Sequence, residues 1–306
     1  MAKNEKIFPS KNIECDCLPL RKKWFVAVEN PEYLVVAKGS GLPSAPLKDG
    51  ELSVFEEVSA SFSDILSVHG KKEGEGGLIH RIDTETCGLL LIARNDDFFS
   101  HINECRSHGF FCKRYIAYSV SIGRKGKKGL AETETEENRK MSTCNNDCAM
   151  PEKGEITSRF RPFGKKGLSV KPVFDEIAGM ADRKKAGVRL YTTKIIDSEV
   201  ICRKKNMSLI RIVCEINEGF RHQVRAHLAY SGFPVFGDAI YNNQSLFNGQ
   251  SGVSETVDVA SSVDDMLFFA SGLSFTENDG RPVNVSIPTT LMDEKAIRTF
   301  EKSLPN

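Results

Sequence analysis

The stretch "GLIHRIDTETCGLLLIAR", Gly77 to Arg94, sets a charged cluster directly against an apolar run. His80, Arg81 and Asp83 fall within four residues, and Leu89, Leu90, Leu91, Ile92 and Ala93 follow without a break. The run reads as a buried strand with a polar loop at its mouth. A strand of this kind is a rigid base for the side chains of the loop that opens into it. Asp83 therefore stands where a carboxylate can be held in one position.

The segments on either side set the fold class. Upstream, "WFVAVENPEYLVVAKGSGLPSAP" (Trp24–Pro46) reads as two short strands about an Asn30-Pro31 turn, followed by a Gly/Pro loop. Leu52, Phe55, Val58, Phe62, Ile65 and Leu66 have helical spacing and predict a helix over Leu52–Ser67. Downstream, "NDDFFSHINECRSHGF" predicts a helix capped by Asn95 or Asp96 and stopped by Gly109. Strands follow at Lys113–Ile122 and at Ser208–Asn217, where Ile210, Ile212, Cys214 and Ile216 share a face. Phe220–Gly232 predicts a helix closed by glycine. A hairpin about Glu277–Arg281 and a last helix complete the chain. Strands outnumber helices and several are joined by short turns. The expectation is an α+β fold, a mixed and mostly antiparallel sheet flanked by helices and loops.

With 306 residues, 40% of them hydrophobic, the chain can bury a sizeable core in one or two domains. No apolar run approaches the roughly 18–20 residues of a membrane span. The opening "MAKNEKIFPSKN" has neither a signal-peptide core nor a transit-peptide character, so a cytoplasmic location without membrane association is expected. Nine scattered cysteines fit reduced thiols better than a disulfide framework. Cys105, His108, Cys112, Cys144 and Cys148 match no standard zinc spacing, and no metal is expected. The net charge is only +1, but its distribution is uneven. "RFRPFGKKGLSVK" (Arg159–Lys171) has five cations and no acid; "RKKAGVRLYTTK" (Arg183–Lys194) repeats the pattern. Such segregation can make a basic face on a neutral protein, although a solvated mixed surface explains these runs equally well.

Two groups of residues could carry chemistry. An aspartate in a loop is more often a backbone cap or an ion-pair partner than a catalyst, and Arg81 is a ready partner for Asp83. A carboxylate without a metal also suits nucleophilic or acid–base work at carbon. In "GFRHQVRAHLAYSGFPVFGDAIY" (Gly219–Tyr241), a helix would set Arg221 and Arg225 on one face with His222 nearby. Gly232, Pro234 and Gly237 then force an irregular turn that contains Asp238.

These residues carry a resemblance. "HRIDTETCGLLLIAR" resembles the catalytic signature of the RluA-type RNA pseudouridine synthases, His-Arg-Leu-Asp followed by an aliphatic strand. "GFRHQVRAHLAYSGFPVFGDAIY" resembles that family's later Gly-Arg-(Ser/Thr)-His-Gln-(Ile/Leu)-Arg-x-His block. "CKRYIAYSV" is similar to its Lys-x-Tyr strand, and "VENPEYLVVAKGSGLPSAP" to its opening strand pair and Lys-Pro-x-Gly-Leu turn. The four blocks stand in the family's order. Three positions depart from it: Gly39 replaces a proline, Cys87 a serine, and Phe220 the first arginine of the later block.

The resemblance implies isomerisation of uridine to pseudouridine in ribosomal or transfer RNA, with no cofactor. It implies Asp83 as the catalytic aspartate, Arg225 as the cation paired with it, and Tyr115 as the aromatic that lies against the uracil. Arg81, His80, Arg221 and His222 are expected to serve substrate and RNA binding, with His80 bracing the loop rather than moving protons. The expected organisation is an N-terminal leader, 1–24, and a catalytic domain, 25–306, with polar insertions near 123–154 and 242–265. A separate RNA-binding domain would not fit in this leader, so recognition would rest on the catalytic domain of a monomer. Two alternatives are weighed: a non-catalytic RNA-binding relative aiding ribosome assembly, which Phe220 keeps open, and a zinc-dependent nucleic-acid protein.

Overall fold

The apolar run forms a strand, Cys87–Ala93, in which every residue is buried. Its side chains alternate between two cores: Leu89, Leu91 and Ala93 enter one, Leu90 and Ile92 the other. A strand covered on both faces has no position for a polar side chain, which is why the run is unbroken. The computed structural model describes residues 10–46, 52–70, 74–122, 149–242 and 265–304.

Among these residues, eleven strands share one sheet. They are β1 (Lys11–Glu14), β2 (Trp24–Glu29), β3 (Tyr33–Lys38), β4 (Cys87–Ala93), β5 (Cys112–Ile122) and β6 (Gly154–Phe163), then β7 (Ser169–Val173), β8 (Tyr191–Lys204), β9 (Met207–Ile216), β10 (Phe268–Thr276) and β11 (Pro282–Ser286). The order is β2-β3-β4-β10-β5-β9-β8-β6-β7, with β11 also on β10 and β1 on β11. Only β4 with β10 and β1 with β11 run parallel; every other pair is antiparallel. The sheet is thus mixed and mostly antiparallel, as the sequence predicts.

Among the described residues, five α-helices complete the fold: α1 (Val54–Ser59), α2 (Asp96–Ser107), α3 (Met180–Lys185), α4 (Gln223–Tyr230) and α5 (Thr289–Ser303). Phe98 and Ile102 of α2 and Met292, Ala296 and Phe300 of α5 pack on one face of the sheet. Val54, Phe55 and Val58 of α1 and Val224 and Leu228 of α4 pack on the other. That second face carries the charged loop.

Three segments differ from the sequence reading. The helix expected over Leu52–Ser67 is α1 followed by a separate 3-10 turn, Ser63–Ser67. Ser53 and Glu56 form a reciprocal capping box at its start, while Ser59, Ser61 and Ser63 offer the backbone competing bonds at its end. Leu52 and Leu66 are consequently 67% and 56% exposed rather than part of a stripe. The helix expected from Phe220 begins only at Gln223, because His222 has a left-handed backbone (φ 57°). Arg221 therefore lies outside the helix and does not share a face with Arg225. The described part of the leader is built into the sheet: Lys11–Glu14 pair with Val283–Ser286. The polar insertions fall mainly at 123–148 and 243–264, outside the described residues, as do Cys144 and Cys148.

Candidate active site

The loop holding Asp83 is fixed from three sides. Ile79 N–H donates to Leu91 O and Ala93 N–H to Gly77 O, so the approach to the loop lies along β4. Ser44 binds Ile82 twice: its hydroxyl donates to Ile82 O at 2.8 Å, and Ile82 N–H donates to its Oγ at 3.1 Å. The third anchor is Lys38, fully buried at the end of β3. Its ammonium donates to Leu42 O at 2.8 Å and to Gly39 O and Thr84 O at 3.0 Å. Burial lowers its pKa to about 8, against the raising influence of Cys87, Asp83 and Glu85. One ammonium thus joins the turn after β3 to the residue following Asp83.

Opposite the loop, α4 presents Arg225. Its Nη1 donates to Asp83 Oδ2 at 2.7 Å. Its other edge grips Asp238 at two points, Nε to Oδ2 at 2.7 Å and Nη2 to Oδ1 at 2.8 Å. Asp238 is wholly buried and also accepts from the backbone N–H of Ile240 and Tyr241. Burial opposes the Arg225 charge, but hydrogen bonds and attraction from Asp238, then Asp83, outweigh it and raise its pKa. Removing one member of such a pair costs about 3–5 kcal/mol, because the other is left charged and buried. Tyr241 lies under the guanidinium at 5.4 Å. Its hydroxyl is 3.2 Å from His222 Nδ1, and His222 Nε2 is 3.8 Å from Asp83 Oδ2. Burial, with Arg225 and Arg221 adding to it and Asp83 opposing, drops the His222 pKa to about 4.

Asp83 and Tyr115 line one cavity of about 520 Å³. The Tyr115 ring stacks on Phe268 at 5.2 Å and 10°, which sets its plane. Burial, and secondarily Asp83 and Cys112, raise its phenol pKa, so the hydroxyl keeps its proton. His80 lines the cavity from a buried position, its Nε2 accepting from Leu91 N–H at 3.2 Å. Arg81 is exposed at the rim and pairs with Glu75 at 3.2 Å. Arg221 is turned to Gly167 O and Ser169 O. Of the seven predicted site residues, Arg225 and His222 meet at the Asp83 carboxylate, and Tyr115 lines the same cavity. His80, Arg81 and Arg221 face a backbone or an acidic neighbour. No group of His, Cys, Asp and Glu with the geometry of a metal site occurs among the described residues.

A family model for RNA pseudouridylate synthase matches residues 32–230, which contain the loop, β5 and α4. The chain belongs to that family. Among curated proteins, this family member is similar to the uncharacterized RNA pseudouridine synthase YlyB of Bacillus subtilis, 25% identical, over 73% of the chain and 60% of the relative. It is 24% identical to the tRNA pseudouridine(31) synthase of Saccharomyces cerevisiae over 76% of the chain and 50% of the relative. RNA pseudouridine synthase 7 of Arabidopsis thaliana is 26% identical, over 80% and 53% respectively. The chain thus spans between 50% and 60% of the length of these three relatives. In fold it resembles human RNA pseudouridylate synthase domain containing 4, with TM-score 0.54, 17% identity, and coverage of 89% of this chain and 92% of that one. Human RNA pseudouridylate synthase domain containing 1 follows at TM-score 0.53 and 15% identity, covering 88% of this chain and 86% of that one.

Two of the three departures of this pseudouridylate synthase family member from the expected motifs, Gly39 and Phe220, have structural explanations. Gly39 N–H donates to Lys23 O at 2.8 Å, a bond proline cannot make. A Cβ at Gly39 would also stand 1.9 Å from Leu20 O. Phe220 stacks on Phe160 at 5.0 Å and 7°, with Tyr191 at 5.1 Å. An aromatic cluster thus occupies the place of a cation. Sequence reading missed Lys38 and left Asp238 without a role. Lys38 stands within a quoted motif, but burial of an ammonium among three carbonyls has no local signature.

Proposed function

We propose that the protein isomerises uridine in ribosomal or transfer RNA to pseudouridine, with Asp83 as the catalytic residue. The observation that carries this reading is that the Asp83 carboxylate lines a cavity and is held at 2.7 Å by the buried Arg225 behind it. In this reaction the glycosidic C–N bond breaks, the base turns, and C5 bonds to the sugar. N1 gains a proton and C5 loses one, so no electron or group donor is required. Asp83, kept anionic beside Arg225, attacks or takes a proton from the nucleoside. Tyr115, its plane set by Phe268, supports the uracil once it has left its stack. Arg81 at the rim contacts the RNA backbone or fills the gap the flipped nucleotide leaves.

RNA tritiated at uracil C5 tests this, since forming the new C–C bond releases that label. Wild-type protein is expected to release tritium from ribosomal or transfer RNA of cells lacking the gene, and Asp83→Asn to bind the same RNA without release. Salt-sensitive binding with no release from any pool would overturn the catalytic reading in favour of a non-catalytic RNA-binding relative.

A further inference from the structure

Phe220 stands where the resembled motif has an arginine, and its ring lies on the wall of the cavity that holds Asp83 and Tyr115. The side chain is partly buried. Phe160 lies almost parallel to it, with centroids 5.0 Å apart and 7° between the planes. Tyr191 is 5.1 Å from Phe220 at 49°. Phe160 and Tyr191 are themselves only 6.0 Å apart. Two rings on opposite faces of Phe220 would stand much farther from each other, so both lie toward one side of it. Neither is stacked on its second face.

The ring is held in place from behind. Phe220 N–H donates to Gln223 Oε1 at 2.9 Å, and Gln223 N–H donates to Phe220 O at 3.1 Å. Gln223 is buried, and its Nε2 donates to Thr192 O at 2.9 Å. Phe160 is 2% exposed and packs on His227 at 4.9 Å. Two residues beyond Phe220, His222 Nε2 is 3.8 Å from Asp83 Oδ2. A ligand resting on Phe220 is therefore close to the reacting carboxylate. The side chain has neither charge nor hydrogen-bonding group. What it offers the cavity is dispersion and a π-face, which suit a nucleobase and not a phosphate.

We propose that Phe220 is a specificity-determining platform on which the nucleobase next to the target uridine stacks, and that it selects a purine there. That the ligand is RNA rests on the function proposed above; the geometry of the ring does not. In this arrangement Tyr115, backed by Phe268, takes the target base, and Phe220, backed by Phe160, takes its neighbour. Stacking strengthens with overlap, and a purine has two fused rings where a pyrimidine has one.

Binding tests this without turnover. Single-stranded RNA nonamers would carry one central uridine, with 2-aminopurine, adenine, cytosine or an abasic residue placed 5′ or 3′ of it. At one of the two positions, 2-aminopurine fluorescence is expected to fall on binding to wild type and to Phe220→Tyr, and not on binding to Phe220→Leu. Removing the base there should weaken binding to wild type about fivefold or more and leave Phe220→Leu unaffected. Phe220→Arg should lose the same discrimination and steepen the slope of log affinity against log salt by about 0.7, the value for one added phosphate contact on a single strand. Abasic RNAs that bind wild type like their parents at both positions would overturn the platform. So would equal loss of discrimination in Phe220→Leu and Phe220→Tyr, which would show that the ring only packs. Equal affinities for adenine and cytosine would overturn the purine selection. If discrimination persists and no RNA pool releases tritium, the catalytic reading fails and the platform stands.

Discussion

At the scale of the residue, burial decides which titratable groups carry charge. Arg225 keeps its charge because Asp238 and Asp83 face it; His227 faces only Ser158 and Thr193 hydroxyls and is neutral. Burial drops the His227 pKa to about 3, and His222 stands at about 4. Both values lie below the 6.5 of a free histidine, so the unfolded chain binds protons that the folded chain refuses. Their contribution to stability is whole above pH 6.5 and is lost progressively as pH falls toward 4 and 3. Each unit of that fall costs about 1.4 kcal/mol per histidine. Urea midpoints measured from pH 7 to 4.5 should decline, and His227→Gln should flatten the decline; parallel curves for the two proteins would refute the assignment. Asp83, Tyr115 and Arg225 were singled out through the family resemblance of the motifs that hold them, since the residues alone read as a loop carboxylate, a strand aromatic and a helix cation. Asp238 was not, because its role depends on a buried guanidinium 13 residues away.

At the scale of the element, boundaries follow from single contacts rather than from periodicity. α4 starts late because His222 turns left-handed, and the apolar spacing past Ser59 does not extend α1. The turn after β3 depends on Gly39, whose missing side chain leaves room for Leu20 O and whose N–H binds Lys23 O. That contact ties residues 10–23 to the turn that Lys38 joins to Thr84. Gly39→Ala should therefore destabilise the protein by about 1–3 kcal/mol, the usual cost of overpacking. It should also bring forward limited proteolysis between β1 and β2. An unchanged urea midpoint would show that the leader is not held there. No sequence pattern marks such an approach, since it joins the turn after β3 to the backbone of Leu20 and Lys23 in a preceding segment.

At the scale of the whole molecule, the fold redistributes charge that looks segregated along the chain. Within the basic tract Arg159–Lys171, Arg159 pairs with Asp175, while Arg161 and Lys171 share Asp182. In the next tract, Arg189 pairs with Glu218. The first tract is therefore partly neutralised, and the second at Arg189, by acids that neither contains, whereas Lys184 and Lys185 on α3 are exposed. If RNA lies over this lobe as a polyanion, Lys184→Gln with Lys185→Gln should reduce the slope of log affinity against log salt by about 1.5–2. Arg161→Gln should leave it nearly unchanged. Equal effects in the two variants would mean that the internal pairs open on binding.

The class of the fold and the buried strand are legible along the chain, because alternation and apolar runs are local properties, and the family resemblance of the motifs points to one carboxylate. What surrounds that carboxylate follows from tertiary contacts. The Lys38 anchor on Thr84 and the aromatic cluster about Phe220 join residues far apart in the chain, and the Asp238 grip on Arg225 reaches across an irregular turn. Their energies depend on desolvation, and no residue is desolvated until the sheet and its two layers of helices have closed over it.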